Sequence, residues 1–224
     1  MVISENTLKV LRNFSTINPS VMIEEGKTIR ATSLQRDIQV IANLEDEFPR
    51  QFAIYDLAEF CNVLGLVDDR ELDFDEKHVT VRDGAGRTTI KYSYASDNLV
   101  VHPNEIKLDM SEAEVQFEIA GEDLRQIKKA ASVLGYNLMR MQNKNGVLEV
   151  SLTDGEDAGA NSFAIDVATL LTSPKDFDIY FSVNNIKLME GDYDVKISSK
   201  MVSRWSNKEE TLTYFISPSS ESTI

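Results

Sequence analysis

The feature that most restricts the fold of this chain is an internal repeat. Leu8 and Leu11 correspond to Leu124 and Ile127, an offset of 116 positions. Each copy opens with a short predicted strand, followed by apolar residues that recur every three or four positions, which predicts an amphipathic helix. A repeat of this length predicts a chain built as two similar halves.

The predicted strands and short helices after each first helix also recur in the same order. Strands are predicted at 21–23, 28–32 and 38–44 in the first half, and at 138–142, 147–152 and 162–167 in the second. Asn145-Gly146 is a strong hairpin signal between two of these strands. Each half then continues with a strand, a short helix near Phe60 or Ile186, and three more strands. The order predicts an α+β fold with two similar domains, each with two helices packed on antiparallel sheet.

Residues 96–111 join the two halves. This segment contains Pro103, alternates little and is too long for a tight turn, which predicts a connector on the surface. We therefore divide the chain into an N-terminal domain at 1–95, a connector at 96–111 and a C-terminal domain at 112–224. Residues 217–224 are rich in serine and are predicted to be frayed.

Composition restricts the classes of protein to which the chain can belong. Apolar residues make up 42% of the sequence, which predicts a globular protein. The net charge of −14 argues against wrapping nucleic acid by bulk charge, unless the basic residues are gathered on one face. The placement of the basic residues therefore decides whether nucleic acid is a partner.

Cysteine content and hydropathy predict the compartment. Cys61 is the single cysteine, so neither an intramolecular disulfide nor a multi-cysteine metal site is expected, and a reducing cytoplasm fits. The first residues lack a charged region followed by an apolar one, so we expect no secretion signal. No apolar run of about 18 residues occurs, so we expect no membrane span.

The sequence contains no pattern typical of catalysis. His78 and His102 are far apart and lack a neighbouring nucleophile motif, so both are expected at the surface. The acidic run at 68–76 lacks the glycine of a calcium loop, and turn chemistry explains the acidic loop at 154–157 as well as metal binding does. No glycine-rich phosphate loop is present. We expect no metal, no cofactor and no enzymatic activity.

Basic residues recur on the first helix of each half, on the face opposite its apolar stripe. Lys9 and Arg12 lie there in the first copy, and Arg125, Lys128 and Lys129 lie on the same face of the second. An ordinary solvated helix also carries lysine and arginine. Recurrence at equivalent positions in a chain of net charge −14 favours a binding surface.

Three segments resemble those of a known family: residues 8–18 (LKVLRNFSTIN), 53–57 (AIYDL) followed by Phe60, and 189–193 (MEGDY). Together with the duplicated unit, the acidic exterior and the basic helices, they make the chain similar to the sliding clamps, which are polymerase processivity rings. The likeness is to the clamps of large tailed phages of the myovirus type. It extends over nearly the whole chain and lies in the order and spacing of the motifs.

The resemblance implies a closed homotrimeric ring of six similar units, with helices lining a hole that duplex DNA threads. Basic helix faces would attract phosphates without reading bases, which permits sliding. The implied partners are duplex DNA in a sequence-independent manner, a DNA polymerase and an ATP-driven clamp loader, with no membrane and no cofactor. The residues assigned as DNA-facing are Lys9, Arg12, Arg125, Lys128, Lys129 and Lys187.

The resemblance also implies a pocket beneath the connector for short apolar peptides of polymerase and other partners. The residues assigned to it are Ile38, Val100, Val101, Ile106, Leu108 and Pro218. The same residues fit an ordinary core between domains equally well. Subunit contacts are expected from edge-strand pairing between residues 87–95 and 161–167.

The expected function is thus to encircle duplex DNA and tether the replicative polymerase for processive synthesis, with late transcription as an additional possibility. The expected location is the cytoplasm of a phage-infected bacterial cell. A structural or capsid-associated phage protein with duplicated sheet domains is the principal alternative. An acidic mimic of DNA and an enzyme with a cryptic site also stay open.

Overall fold

A computed structural model describes residues 1–101, 103, 109–153 and 161–224. The chain divides into two compact units, Met1–Glu105 and Ile106–Ile224, and this division falls inside the predicted connector at 96–111. Two predicted pocket residues, Ile106 and Leu108, lie outside the described residues, as do His102 and the acidic loop at 154–157.

The first unit contains two α-helices and seven strands among its described residues. They are α1 (Glu5–Ile17), β1 (Val21–Ile23), β2 (Gly26–Thr32), β3 (Ile38–Phe48), β4 (Phe52–Ile54), α2 (Leu57–Leu64), β5 (Glu71–Phe74), β6 (His78–Arg82) and β7 (Thr89–Ser93). A 3-10 turn at Asp97–Leu99 follows. β1 pairs with β4, β2 pairs with β3, and β5, β6 and β7 form a three-stranded antiparallel sheet.

The second unit repeats this order. It contains β8 (Val115–Ile119), α3 (Gly121–Leu134), β9 (Leu138–Lys144), β10 (Val147–Thr153), β11 (Phe163–Thr169), β12 (Asp178–Ser182), β13 (Tyr193–Ser198), β14 (Val202–Asn207) and β15 (Leu212–Ile216). One antiparallel sheet has the order β11-β10-β9-β12, and β8, β13, β14 and β15 pair consecutively.

The strand pairings, as well as the order of the elements, are duplicated. The pairs β1–β4 and β2–β3 correspond to β9–β12 and β10–β11. The sheet β5-β6-β7 corresponds to β13-β14-β15, and a bridge between Val2 and Glu71 corresponds to the pairing of β8 with β13. The α+β fold with two similar units is therefore confirmed.

The predicted second helix of the second unit is wrong. A three-residue 3-10 turn, Val183–Asn185, stands where α2 stands in the first unit. Two consecutive asparagines, which favour turns over helix interiors, occupy this turn. By contrast, Asp56 directly precedes α2, and its carboxylate accepts a hydrogen bond of 2.8 Å from the amide of Glu59 and caps the helix.

The first helix of each unit buries its predicted stripe. Ser4 caps α1 by accepting a 3.1 Å hydrogen bond from the amide of Thr7, and Leu8, Leu11 and Phe14 are completely buried.

The largest apolar side chain of the second unit, Trp205, contacts Phe117 and Phe181 edge-on, with ring centroids 6.4 and 5.8 Å away. Each unit thus has its own aromatic core.

A close approach of two glycines fixes the start of α3. The amide of Gly121 donates a 2.8 Å hydrogen bond to the carboxylate of Asp192, which replaces a side-chain cap. A Cβ atom on Gly121 would lie 2.8 Å from the carbonyl oxygen of Gly191, a backbone atom that cannot move aside cheaply. Gly191 itself has a φ of +144°, which favours glycine.

We predict that Gly121→Ala lowers the free energy of unfolding by about 1–3 kcal/mol, because the added methyl group overpacks the contact with Gly191. Gln126→Ala, on the exposed face of the same helix, is the control and should change it by less than about 0.5 kcal/mol. Urea unfolding measures both. Equal stability of the two variants would contradict the assignment of this contact.

Candidate functional site

On α1, the two predicted basic residues reach solvent. Lys9 and Arg12 are exposed, whereas Leu8 and Leu11 are buried. Arg12 extends over the end of α2. The Nη2 atom of Arg12 lies so close to Gly65 that a Cβ atom added to this glycine would be 3.1 Å from it. A guanidinium at that position interacts favourably with the negative end of the helix dipole.

An additional arginine near these residues was not predicted as part of the surface. Arg70 donates 2.6 Å hydrogen bonds to the carboxylate of Glu5 on α1 and to the carbonyl of Leu64 at the end of α2. The Arg70 guanidinium, together with Arg12 and Lys9, holds the pKa of Glu5 below its usual value. Arg70 cannot be recognised from the sequence as part of this basic surface, because it lies within the acidic run at 68–76.

On α3, Arg125 and Lys129 are exposed. The guanidinium of Arg125 forms an ion pair with Glu122 one turn earlier, which raises the pKa of Arg125. Exposed pairs of this kind contribute at most about 1 kcal/mol, so a phosphate can compete with Glu122 for Arg125. The face is therefore mixed in charge rather than uniformly basic.

Lys128 is the predicted DNA-facing residue whose environment differs most from a free surface lysine. Its side chain is half-buried in a cleft between α3 and residues 188–191, and its ammonium donates a 3.4 Å hydrogen bond to the carbonyl of Leu188. Burial lowers the pKa of Lys128, and the nearby carboxylate of Glu190 opposes this effect. Lys187 is also half-buried and follows the 3-10 turn rather than lying on a helix.

The predicted peptide-pocket residues differ in accessibility. Val100 is buried in a small apolar cluster with Met22 and Ala53, and Ala95 packs against it. Val101 is 37% exposed. Ile38 is buried at the start of β3, and Pro218 is buried in the second unit, after β15. Among the predicted pocket residues that are described in the first unit, Val101 is therefore the one accessible to a partner.

Both segments predicted to form subunit contacts are edge strands. β7 ends the sheet β5-β6-β7, and β11 ends the sheet β11-β10-β9-β12. Apolar side chains on them are only half-buried, among them Ile90 on β7 and Ile165 on β11. Lys91 on β7 and Asp166 on β11 are exposed and have opposite charges.

A tyrosine hydroxyl holds each of these edges to a neighbouring element. The hydroxyl of Tyr92 on β7 donates to the carboxylate of Glu59 on α2 at 3.0 Å. Burial and Glu59 together raise the pKa of Tyr92. In the second unit, the hydroxyl of Tyr136 donates to the carbonyl of Asn161, just before β11.

Side chains in the described part of the chain are not placed for metal binding, and its cysteine is not placed for thiol chemistry. No group of three His, Cys, Asp or Glu side chains there is placed to hold a metal ion. Cys61 is buried, and burial raises the pKa of its thiol to about 11, which suppresses the reactive thiolate. Among the described helices, none is both long enough and apolar enough to cross a membrane.

Comparisons with known proteins agree with the duplicated architecture. Residues 4–102 match the family model for DNA polymerase processivity factor, and residues 116–219 match that for the gp45 sliding clamp, C terminal. The chain belongs to the sliding clamp family of DNA polymerase processivity factors, as the sequence predicted.

Two relatives and one solved structure illustrate the likeness. The sliding clamp of Vibrio phage KVP40 is 32% identical over 220 residues, covering 96% of this chain and 98% of that protein. The sliding clamp of Escherichia phage RB69 is 26% identical over 230 residues, covering 100% and 99%. Proliferating Cellular Nuclear Antigen from Entamoeba histolytica shares the fold, with a TM-score of 0.70 at 10% identity, covering 95% of this chain and 94% of that chain.

We predict that the buried environment of Lys128 is visible in the pH dependence of stability. Its folded-state pKa is lower than the unfolded value of 10.5, so the unfolded chain binds more protons between the two values. The contribution of Lys128 to stability therefore rises with pH in that window. Lys128→Met should remove this rise, and urea unfolding at neutral pH and near pH 10.5 measures it.

Lys129→Met on the exposed face is the matched control for Lys128→Met. It removes the same charge from an exposed position and provides the reference pH profile of the unfolding free energy. Identical pH profiles for the two variants would mean that Lys128 is not desolvated in the folded protein.

Proposed function

We propose that three copies of this chain form a closed ring that encircles duplex DNA and tethers the replicative DNA polymerase. The observation that carries the proposal is the duplicated placement of basic side chains. In each unit, the first helix buries one face in the core and presents basic residues on the opposite face, Lys9 and Arg12 on α1, and Arg125 and Lys129 on α3. A helix face repeated in this way gives a ring of three chains six similar inner surfaces.

The charge distribution suits sliding rather than tight binding. Lysine and arginine side chains attract phosphates without reading bases, so contact with them is independent of sequence. With a net charge of −14 per chain, three chains total 3 × −14 = −42, so the ring as a whole repels DNA. The acidic partner Glu122 would weaken a phosphate contact of Arg125 further. Enclosure, rather than affinity, would then keep the protein on DNA.

Edge strands β7 and β11 are the surfaces proposed to join neighbouring chains. They lie in different units and carry opposite charges, Lys91 on one and Asp166 on the other. Pairing them joins unlike surfaces, and such a heterologous contact closes into a ring when the rotation per subunit allows it. Half-buried apolar side chains such as Ile90 and Ile165 would be covered further by this pairing.

A ring that encircles DNA would also need a loader and a binding site for the polymerase. Ring opening and closure on DNA would need an ATP-driven loader, since the sequence has no phosphate loop. Short apolar peptides of the polymerase would bind beside the connector, where Val101 is accessible. The ring would have no catalytic role of its own and would act in the cytoplasm of the infected cell. Support of late transcription stays a prediction.

Charge reversal of the helix faces tests the function. We predict that Lys9→Glu, Arg12→Glu, Arg125→Glu and Lys129→Glu together shorten the products of a single polymerase binding event at least about tenfold. The same change of charge at Lys27, Arg36, Lys175 and Lys200, which are exposed elsewhere, is the control and should preserve processivity. Both variants should have the mass of a trimer, three times 25.2 kDa.

Two outcomes of this experiment would contradict the proposal. If the first variant is loaded to the same extent as the unaltered protein and supports normal processivity, the helix faces do not face DNA. If the unaltered protein is a stable monomer at micromolar concentration, it does not form the proposed ring.

A pair of valines tests the peptide site. We predict that Val101→Ala weakens binding of the polymerase peptide about fivefold without changing stability, because its exposed methyl groups would contact the peptide. Val100→Ala is the comparison, and it should cost about 1.5 kcal/mol of unfolding free energy because Val100 is buried. Calorimetric titration and urea unfolding measure the two effects. Loss of stability in Val101→Ala would make it a core residue instead.

A further inference from the structure

The segment after β15, residues 217–224, is ordered against the edge of another strand rather than frayed as predicted. β12 is the outer strand of the sheet β11-β10-β9-β12, so its far side has no strand partner within this sheet. Residues of the segment approach that side, and Pro218 and Ser222 are buried. The segment therefore occupies a position that a further strand would otherwise take.

Four hydrogen bonds hold the segment along β12. The amide of Thr223 donates to the carbonyl of Asp178 at 2.8 Å, and the amide of Asp178 donates back to the carbonyl of Thr223 at 2.9 Å. The amide of Ser219 donates to the carbonyl of Tyr180 at 2.7 Å. The amide of Tyr180 donates to the hydroxyl of Ser222 at 2.9 Å, so a side chain replaces a backbone acceptor. The outward amide and carbonyl groups of Asp178 and Tyr180 are thus all satisfied.

The sequence of β12 explains why its edge needs cover. Ile179, Tyr180 and Phe181 have high strand propensity, and the strand contains no proline, glycine or lysine. Such a segment, exposed on an edge, readily accepts a strand from another chain. Lysine and proline are common protections of an edge, and β12 has neither.

Other outer strands are covered in a comparable way. In the first unit, the amide of Ala95, just after β7, donates a 2.9 Å hydrogen bond to the carbonyl of Ala53 on β4, the strand equivalent to β12. In the second unit, Thr172 bridges Gln116 on β8. Among the described residues, no backbone hydrogen bond of this kind covers the outer sides of β7 and β11.

We propose that residues 219–223 are an edge cap, which prevents β12 from accepting a strand of a second copy of this chain. The cap contains one short bridge and a turn, in which the amide of Ser222 donates to the carbonyl of Ser219 at 3.0 Å. It therefore offers no continuous edge of its own. With β12 covered, β7 and β11 stay available for the association of chains in the ring, a role that rests on the proposed function.

Removal of the cap tests the proposal. A chain ending at Pro218 keeps that buried residue and loses the hydrogen bonds to β12. We expect species larger than those of the full chain, increasing with concentration, in native mass spectrometry and light scattering. The same distribution of masses as in the full chain would overturn the proposal.

A second variant avoids dependence on the truncation. Ser222→Ala with Thr223→Pro removes the hydroxyl acceptor and one amide donor, whereas Ser220→Ala changes an exposed serine and is the control. We expect hydrogen exchange at the amides of Asp178 and Tyr180 to accelerate at least about tenfold in the double variant alone. Unchanged exchange would show that the segment does not cover this edge.

The two proposals fail in different measurements. The mass of the full chain tests the ring, whereas the difference between full and shortened chains tests the cap. A monomeric full chain that assembles after shortening would contradict the ring and support the cap. A trimeric full chain whose shortened form keeps the same mass would do the opposite.

Discussion

Burial of the apolar stripe on α1 and α3 is the constraint on which the functional surfaces depend. Leu8 and Leu11 on α1, and Leu124 and Ile127 on α3, are held in the cores of their units. Each buried leucine or isoleucine contributes about 1.5–3 kcal/mol, far more than an exposed ion pair. Rotation of either helix about its axis would expose several of these side chains and lose the free energy of burial of each. The apolar residues therefore determine where the basic side chains point, although they contact no partner themselves.

Nearby acidic side chains partly neutralise the basic side chains on these helices. Arg125 is paired with Glu122, and Glu5 is paired with Arg70. Lys128 is drawn onto the carbonyl of Leu188. If α3 faces DNA as proposed, the exposed pair would let Arg125 exchange between Glu122 and a phosphate at little cost, because exposed pairs are weak. A surface that is to move along DNA benefits from contacts that are individually replaceable.

The repeat, the strands and the basic helix faces were predictable because they depend on local periodicity, which sequence expresses directly. Contacts between residues distant in sequence were not. Arg70 reaches Glu5 across 65 positions, and Gly121 meets Asp192 across 71. Ser222 was assigned to a frayed end because its serine-rich surroundings resemble a disordered segment, whereas backbone pairing with β12 orders it. The short turn at Val183–Asn185 differs from α2 because its asparagines do not sustain a helix.

The strands proposed to join neighbouring chains, β7 and β11, lie in different units, which bears on the direction of each chain in the ring. If β7 of one chain joins β11 of the next, every chain points the same way around the ring. The two flat sides of such a ring are then unlike, and each exposes its own set of loops. A protein that binds one side meets the DNA axis in a single orientation. The polarity of strand pairing would thus decide whether a bound enzyme faces forwards or backwards along the duplex.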